Sequence, residues 1–393
     1  MSKTSEKRHD FVDALRGFAL LGIVLVNIEF IVQPAEIGWL NYDGTLDRVV
    51  RFLVVALGQT KIYPLFAMLF GYGLSIQLRN AARRGEELGG RYRRRMVGLA
   101  VLGVAHGVLF FPGDILVIYS VIGALAYRFR DTDTRRLVRL AAIVYSGATL
   151  CWLLLGGLDA LGDVTPPVAS QDAVEILANG SFVEVVVVHF FYWLVTLGML
   201  SLVHGPAVVA CFLIGIALGR TTILAEPEAH SPIAGKVLRL FPLGILGAGI
   251  GAALTVMVGG RWDTMGFAIG FAAAPLMAAG YIVLMARTVG RQSSPIGTLL
   301  QAAGRMSLTV YLLESVIAST VAYGYGLGWF SEVGPAQGVV LAVGIWLALS
   351  LFALAWMDRR RFGPFEWLLR ALTYGERPRV SGVQARSCIE IPS

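Results

Sequence analysis

The run LGVAHGVLFFPGDILVIYS at 102–120 carries one histidine, His106, and one aspartate, Asp114, in otherwise hydrophobic sequence, with Phe-Pro-Gly between them. A carboxylate that orients an imidazole and stabilises its cation is the arrangement wanted for general-base or nucleophilic work. A neutral core histidine bonded to a backbone carbonyl is the competing reading. Other polar groups in apolar surroundings pose the same choice. Asp13 and Arg16 lie three apart, on one helix face. They read either as an interfacial ion pair or as a phosphate-binding arginine oriented by its aspartate. Asn27 follows about 16 Å further along the helix at 1.5 Å per residue, as a helix contact or a reactive amide. Lys61 precedes Pro64 in GQTKIYPLFAMLFGYG, where a proline can kink the helix and free carbonyls. Ser307, Tyr311 and Glu314 fall at i, i+4 and i+7, one polar stripe facing the bundle interior, with Arg305 just before it. Glu314 should be paired or protonated there. The stripe reads as a cavity wall or as interhelical hydrogen-bond glue. His189 and His204 are weaker candidates.

These residues need helices in a membrane to hold them. The 393-residue chain is 56% hydrophobic and only 15% charged, and its mean hydropathy is +0.68. Soluble domains carry roughly 25% charged residues, so the composition points to a polytopic membrane protein. The net charge of +7 sits in short basic clusters between apolar runs. That pattern suits loops beside anionic lipid, and it argues against a nucleic-acid partner. Apolar runs fall near 12–32, 50–78, 96–111, 115–127, 138–158, 204–219, 240–258, 264–286, 306–323 and 337–357. Basic residues occupy every second gap, from Lys3, Lys7 and Arg8 through 79–95, 128–139, 220–239 and 287–305 to 359–361. The alternate gaps hold Glu29, Glu36, Asp43 and Asp47, then 159–184, then Arg261 to Asp263, then Glu332. The expected architecture is an all-α helical bundle of about ten transmembrane helices, with eleven as the alternative, and both termini cytoplasmic. One domain covers 1–375, and 376–393 is expected to be a disordered cytoplasmic tail. Residues 181–203 are apolar enough to span, but an eleventh crossing would put the 220–239 loop outside. They are therefore expected as an amphipathic or re-entrant helix on the outer side, broken at His204-Gly205-Pro206.

The 32 residues between Arg95 and Arg128 must make two crossings. A core about 30 Å thick needs about 20 residues for each. The Phe-Pro-Gly-Asp turn should therefore line a cavity, with His106 near mid-membrane and Asp114 above it. Cys151, Cys211 and Cys388 show neither disulfide nor metal spacing. No metal site and no tightly bound cofactor are expected. P-loop, Rossmann, His-Glu-x-x-His and Gly-x-Ser-x-Gly elements are absent in usable context, which argues against an ATP-driven pump and a zinc protease.

The chain resembles the YeiB family of bacterial membrane proteins, the domain of unknown function 418. The resemblance rests on VDALRGFALLGIVLVNI (12–28), KIYPLFAMLFGYGLSIQ (61–77), RYRRRMVGLAVLGVAHGVLFFPGDILVIYSVIGAL (91–125), GRMSLTVYLLES (304–315) and RFGPFEWLLRALTYGE (361–376). Val310 and Glu314 stand where that family commonly has Asn and Gln. The resemblance implies a multi-pass protein of the bacterial plasma (inner) membrane, related to transmembrane acyltransferases. These include the heparan-glucosaminide acetyltransferases and the acyltransferase-three O-acetylases. It further implies acyl-CoA as a cytoplasmic co-substrate and an outer acceptor, a small molecule or a glycan. Leu-Arg-Gly here is followed by Asn27, eleven residues after Arg16, where the acyltransferase-three pattern has its histidine. Loop 29–48 holds no histidine either, where the heparan acetyltransferases place theirs. His106 is the substitute expected to act as base or acyl carrier, with Asp114 orienting it. Arg16, Arg93, Arg95 and Arg305 are expected to hold the CoA phosphates, and Asp13, Asn27, Lys61, Ser307, Tyr311 and Glu314 to line the substrate path. The second expectation is a proton-coupled transporter or exporter of a small solute, although no inverted repeat is evident. Membrane lipid is an expected partner, and a homodimer is compatible with the sequence.

Overall fold

The computed structural model describes residues 3–34, 38–39, 42, 44–162, 170–224, 230–289 and 294–374. The expected tail at 376–393, and Glu36 and Asp43 of the first acidic gap, lie outside the described residues.

Among the described residues the fold is all-helical. The helices are α1 (Lys3–Val32), α2 (Thr45–Leu57), α3 (Ile62–Arg83), α4 (Gly89–Leu109) and α5 (Leu116–Ala126). Next come α6 (Thr134–Leu161), α7 (Gln171–Asn179), α8 (Phe182–Val203), α9 (Gly205–Gly219) and α10 (Ser231–Ala253). The described residues continue with α11 (Asp263–Thr288), α12 (Pro295–Arg305), α13 (Ser307–Ala322), α14 (Pro335–Met357) and α15 (Pro364–Tyr374). Local chemistry sets several of the starts. Asp133 accepts from the Arg135 amide at α6, Ser170 from Ala173 at α7, and Ser181 and Glu184 cap α8 reciprocally. Seven stretches are long and apolar enough to cross a membrane: Asp10–Val32, Thr45–Arg83, Thr134–Leu161, Phe182–Val203, Pro232–Val258, Gly260–Thr288 and Pro335–Met357.

The charge alternation has a structural counterpart. Arg305 pairs with Asp10 at 2.9 Å, Arg79 donates to the Gly219 carbonyl, and Arg220 donates to the carbonyls of Arg130 and Thr132. The basic gaps thus meet one another at one end. At the other end Gln33 donates to the Val333 carbonyl (2.9 Å), and Tyr42 to that of Ser331 (3.0 Å). Asp47 accepts from the Ala336 amide (3.0 Å), Thr264 donates to Asp159, and the Gly324 amide to the Leu177 carbonyl (3.0 Å).

Two expected elements differ in the structure. The run at 50–78 is two helices. Gly58 ends α2, Thr60 adopts a left-handed φ of 65°, and Pro64 falls in the first turn of α3, where a missing N–H costs least. Residues 182–203 are one unbroken helix with exposed apolar side chains along its length, among them Val183, Val187, Phe191, Val195 and Met199. It is apolar, not amphipathic, and long enough to cross. Several of its contacts lie at the ends of α4 and α3 remote from the arginines. Phe182 meets Phe110, Trp193 fills the space beside Gly107, and His204 just beyond the helix meets Tyr63. The break at His204 lies where it is expected.

The pair α3 and α9 organises the centre. Added Cβ atoms would strike Phe212 backbone at Gly71, Met68 and Tyr72 backbone at Gly215, and Ser75 at Gly219. Glycine therefore allows near backbone contact. The pairing of 63 with 204, 71 with 212 and 75 with 219 makes the two helices parallel. Both run from the acidic end toward the arginines.

Candidate functional site

The sharpest geometry lies on α4, α5 and α13. The Phe111 amide bonds back to the His106 carbonyl and the Asp114 amide to the Phe111 carbonyl, which folds the chain tightly after α4. Asp114 returns beside His106, with Oδ2 2.8 Å from Nδ1. The same oxygen accepts from the Tyr311 hydroxyl at 3.0 Å, and Oδ1 accepts from the Leu116 amide at 2.8 Å. That last bond satisfies an orphan donor at the start of α5 and sets the carboxylate at a positive helix end. Gly103, one turn before His106, leaves the room. An added Cβ there would lie 2.8 Å from Asp114 Oδ1.

His106 and Asp114 are 4% and 1% exposed. A carboxylate on Nδ1 fixes the tautomer that leaves the Nε2 lone pair free. Nε2 is buried and has no partner in the protein. The Tyr311 ring lies 5.3 Å from the imidazole. The site is therefore a positioned His–Asp pair with a tyrosine holding the carboxylate. Its chemical capacity is to take a proton at Nε2, or to attack from it.

The expected stripe on α13 divides. Tyr311 joins this cluster, and Glu314 is 2% exposed with both carboxyl oxygens lacking a hydrogen-bond partner. Ser307 opens α13 and is only half-buried. The start of α13 is held by a residue outside the sequence-derived set. Glu366 of α15 accepts from the Leu308 and Thr309 amides (2.7 and 3.0 Å) and from the Thr309 hydroxyl (2.6 Å). Burial raises the Glu366 carboxyl pKa, and these bonds oppose the rise.

Toward the basic end, Arg16 meets Asp13 at 2.7 Å, and Arg305 lies 3.9 Å from Asp13. Arg95 is half-buried and close enough to Arg16 and Arg370 to feel both charges. Arg16 and Arg95 thus come together as expected, with Arg370 of α15 added. Arg305 reaches the group through Asp10 and Asp13, and Arg93 is exposed.

A cavity of about 600 Å3 lies on the other side of the turn. Phe111, Pro112, Gly113 and Ile115 form part of its wall, as the short hairpin requires, and Asn27 lines it as well. Asp114 does not: its carboxylate turns away to His106. Arg16, His106 and Glu314 are likewise absent from the lining. Lys61 is also off the cavity, because its Nζ donates to the Val55 carbonyl at 3.0 Å in the break between α2 and α3. Its neighbours Thr60 and Tyr63 do line it, with His189 and His204. Sequence reasoning gave the histidines little weight and passed over Thr60 and Tyr63. The signal available was the helix break itself. Among the described residues, no group of three or more histidine, cysteine or acidic side chains could hold a metal.

Comparison with known proteins agrees with the resemblance. Residues 218–376 match the family described as protein of unknown function (DUF418). Over nearly its whole length the chain is similar to "Uncharacterized protein YxaH" of Bacillus subtilis (strain 168). The two are 28% identical over 94% of this chain and 95% of the relative. It is 29% identical to "Uncharacterized protein YeiB" of Escherichia coli (strain K12), over 93% and 96% of the two chains. A Bacillus acidopullulyticus protein, "Uncharacterized 39.9 kDa protein in amylase 3'region", is 26% identical over 95% of each. No solved structure matches.

Proposed function

We propose that this protein is an acyltransferase of the bacterial plasma membrane, with about ten crossings and both ends in the cytoplasm. It would move an acyl group from acyl-CoA on the inside to an acceptor at the outer face. The observation that carries this reading is the His106–Asp114 pair with Nε2 left without a protein partner. In transfer, the acceptor oxygen or nitrogen attacks the thioester carbonyl, the C–S bond breaks, and the CoA thiolate leaves. His106 Nε2 takes the acceptor's proton and returns it to the thiolate. Asp114 stabilises the imidazolium in between, and Tyr311 keeps the carboxylate in place. Arg16, Arg95 and Arg370 would hold the phosphates. The superfamily resemblance supplies the donor; the cavity lies across the turn from His106 and does not reach it.

The test is thiol release from acetyl-CoA and palmitoyl-CoA by proteoliposomes. Removing a general base typically costs 10²–10⁴-fold, so His106→Ala should lose at least about 100-fold while remaining monodisperse. Release at the wild-type rate by that variant would overturn the assignment.

A second reading has its own observation. The cavity lining stops short of Arg16, as in a carrier open on one side only. With His106 and Glu314 as proton sites, the protein would then move a small solute. Flux driven by a pH gradient, without thiol release, would select this reading.

A further inference from the structure

The cavity across the turn from His106 is walled mostly by aliphatic and aromatic side chains, and no Asp, Glu, Lys or Arg is among its described lining residues. Its volume of about 600 Å3 falls within the roughly 300–1,000 Å3 usual for small-molecule sites. Phe30 of α1 and Val195 and Met199 of α8 line it and are also exposed, so its apolar wall reaches the surface between those helices. Both helices are apolar enough to cross a membrane. An apolar cavity holds water poorly, and one that opens beside such helices takes its contents from the lipid layer.

Two amides interrupt this wall. Asn27 of α1 and Gln59, in the break between α2 and α3, both line the cavity and are half-buried. Neither side chain has a hydrogen bond among the described residues, and neither is sealed in the packing. Thr60 Oγ1, Tyr63 Oη, His204 Nδ1 and both His189 nitrogens are sealed there and take no part. Packing brings the two amides to one side of the cavity. A Cβ added at Gly58 would lie 2.9 Å from Val26 Cγ2, and one at Gly22 would strike Ile62. The two segments therefore run antiparallel, and Asn27 and Gln59 each follow one member of a touching pair. Asn27 is five residues, about 8 Å, from the end of α1 at Val32. An amide presents both donors and an acceptor, and leaving it unpaired in apolar surroundings costs about 1–3 kcal/mol. A hydroxyl-bearing headgroup meets both needs, because a hydroxyl also donates and accepts. A charged headgroup would leave water with no opposite charge to meet it.

We infer that this cavity binds a neutral lipid with a hydroxyl-bearing headgroup, of the acylglycerol class. The hydrocarbon chain enters between α1 and α8 and lies along the apolar wall, and the hydroxyls bond to the Asn27 and Gln59 amides. The site is separate from His106 and does not rest on the transfer reading.

The test uses the full-length protein in nanodiscs, without acyl-CoA, and a monopalmitoylglycerol carrying a photoreactive diazirine on its chain. Labelled peptides should come from α1 and α8. Labelling confined to α6 and α10, whose apolar side chains are also exposed, would overturn the location. Unlabelled monopalmitoylglycerol should displace the probe about tenfold better than hexadecane, lysophosphatidic acid or hexadecylamine, the worth of two neutral hydrogen bonds. Equal displacement by all four would overturn the headgroup assignment. The double variant Asn27→Leu, Gln59→Leu removes both amides at similar volume. It should weaken monopalmitoylglycerol about tenfold and leave hexadecane unchanged, and a preference as strong as that of the wild type would also overturn the headgroup assignment. Thr196→Trp, which fills the cavity from α8, should abolish saturable labelling, and undiminished labelling would overturn the location. Because labelling is read without acyl-CoA, its failure leaves the transfer reading standing, and absent thiol release leaves the binding site standing.

Discussion

The two faces of the turn at 111–115 treat their polar groups in opposite ways. On one face Asp114 accepts from His106, Tyr311 and the Leu116 amide, so every donor aimed at it is used. On the other, Thr60, Tyr63 and His204 each leave a buried polar atom without a partner. The first arrangement fixes geometry, since each member holds the others in one rotamer and tautomer. The second leaves polar atoms unpaired inside the packing. His106 Nε2 belongs in position to the first and in character to the second, which is why it carries the proposed chemistry.

That contrast can be broken by stability measurements in detergent or nanodiscs. The largest effect belongs to Asp114→Ala, which strands three buried donors at once. It should cost about 3 kcal/mol in unfolding free energy, and a loss below about 1 kcal/mol would mean that the cluster does not hold its helices. Tyr311→Phe removes one of those bonds and should cost about 1 kcal/mol.

Glu366 is another carboxylate with several donors, but it lies at the basic end, outside the apolar spans, and its response should be to pH. Its folded-state pKa is raised, by burial first. Its favourable contribution is therefore fully present below the unfolded value of about 4.3, and it is lost as pH rises through the folded value. Wild-type stability should fall across that window while Glu366→Gln stays flatter. Parallel profiles would remove Glu366 from this account. The smallest effect should come from Tyr63→Phe, whose hydroxyl has no protein partner to lose. Its midpoint should shift by less than about 0.5 kcal/mol, and a cost equal to that of Tyr311→Phe would erase the contrast.

Much of this was legible beforehand, for identifiable reasons. The pairing of His106 with Asp114 follows from a hairpin too short to reach both surfaces, a constraint local in sequence. The sorting of basic from acidic gaps follows from the cost of carrying charge across lipid, and Arg305–Asp10 and Gln33–Val333 bear out the two ends. Lys61 misled because a hydropathy run hides a helix break: Gly58 and Pro64 were both visible, but only backbone geometry shows the chain leaving the helix between them. Residues 182–203 are long and apolar enough to cross. Length and hydrophobicity do not say whether a helix crosses the bundle or lies over the ends of its neighbours.

The sequence by itself determined the membrane character, the helical class, the two differently charged ends and the His106–Asp114 pair. Each depends on composition or on contacts within about a dozen residues. Tertiary structure alone decided that Tyr311 holds Asp114 across 197 positions, that Glu366 holds the start of α13, and that α3 and α9 aim their first turns at one cavity. Those relations arise from packing between distant helices, where glycine at 71, 215 and 219 permits close approach. No local periodicity encodes which helix will be the neighbour.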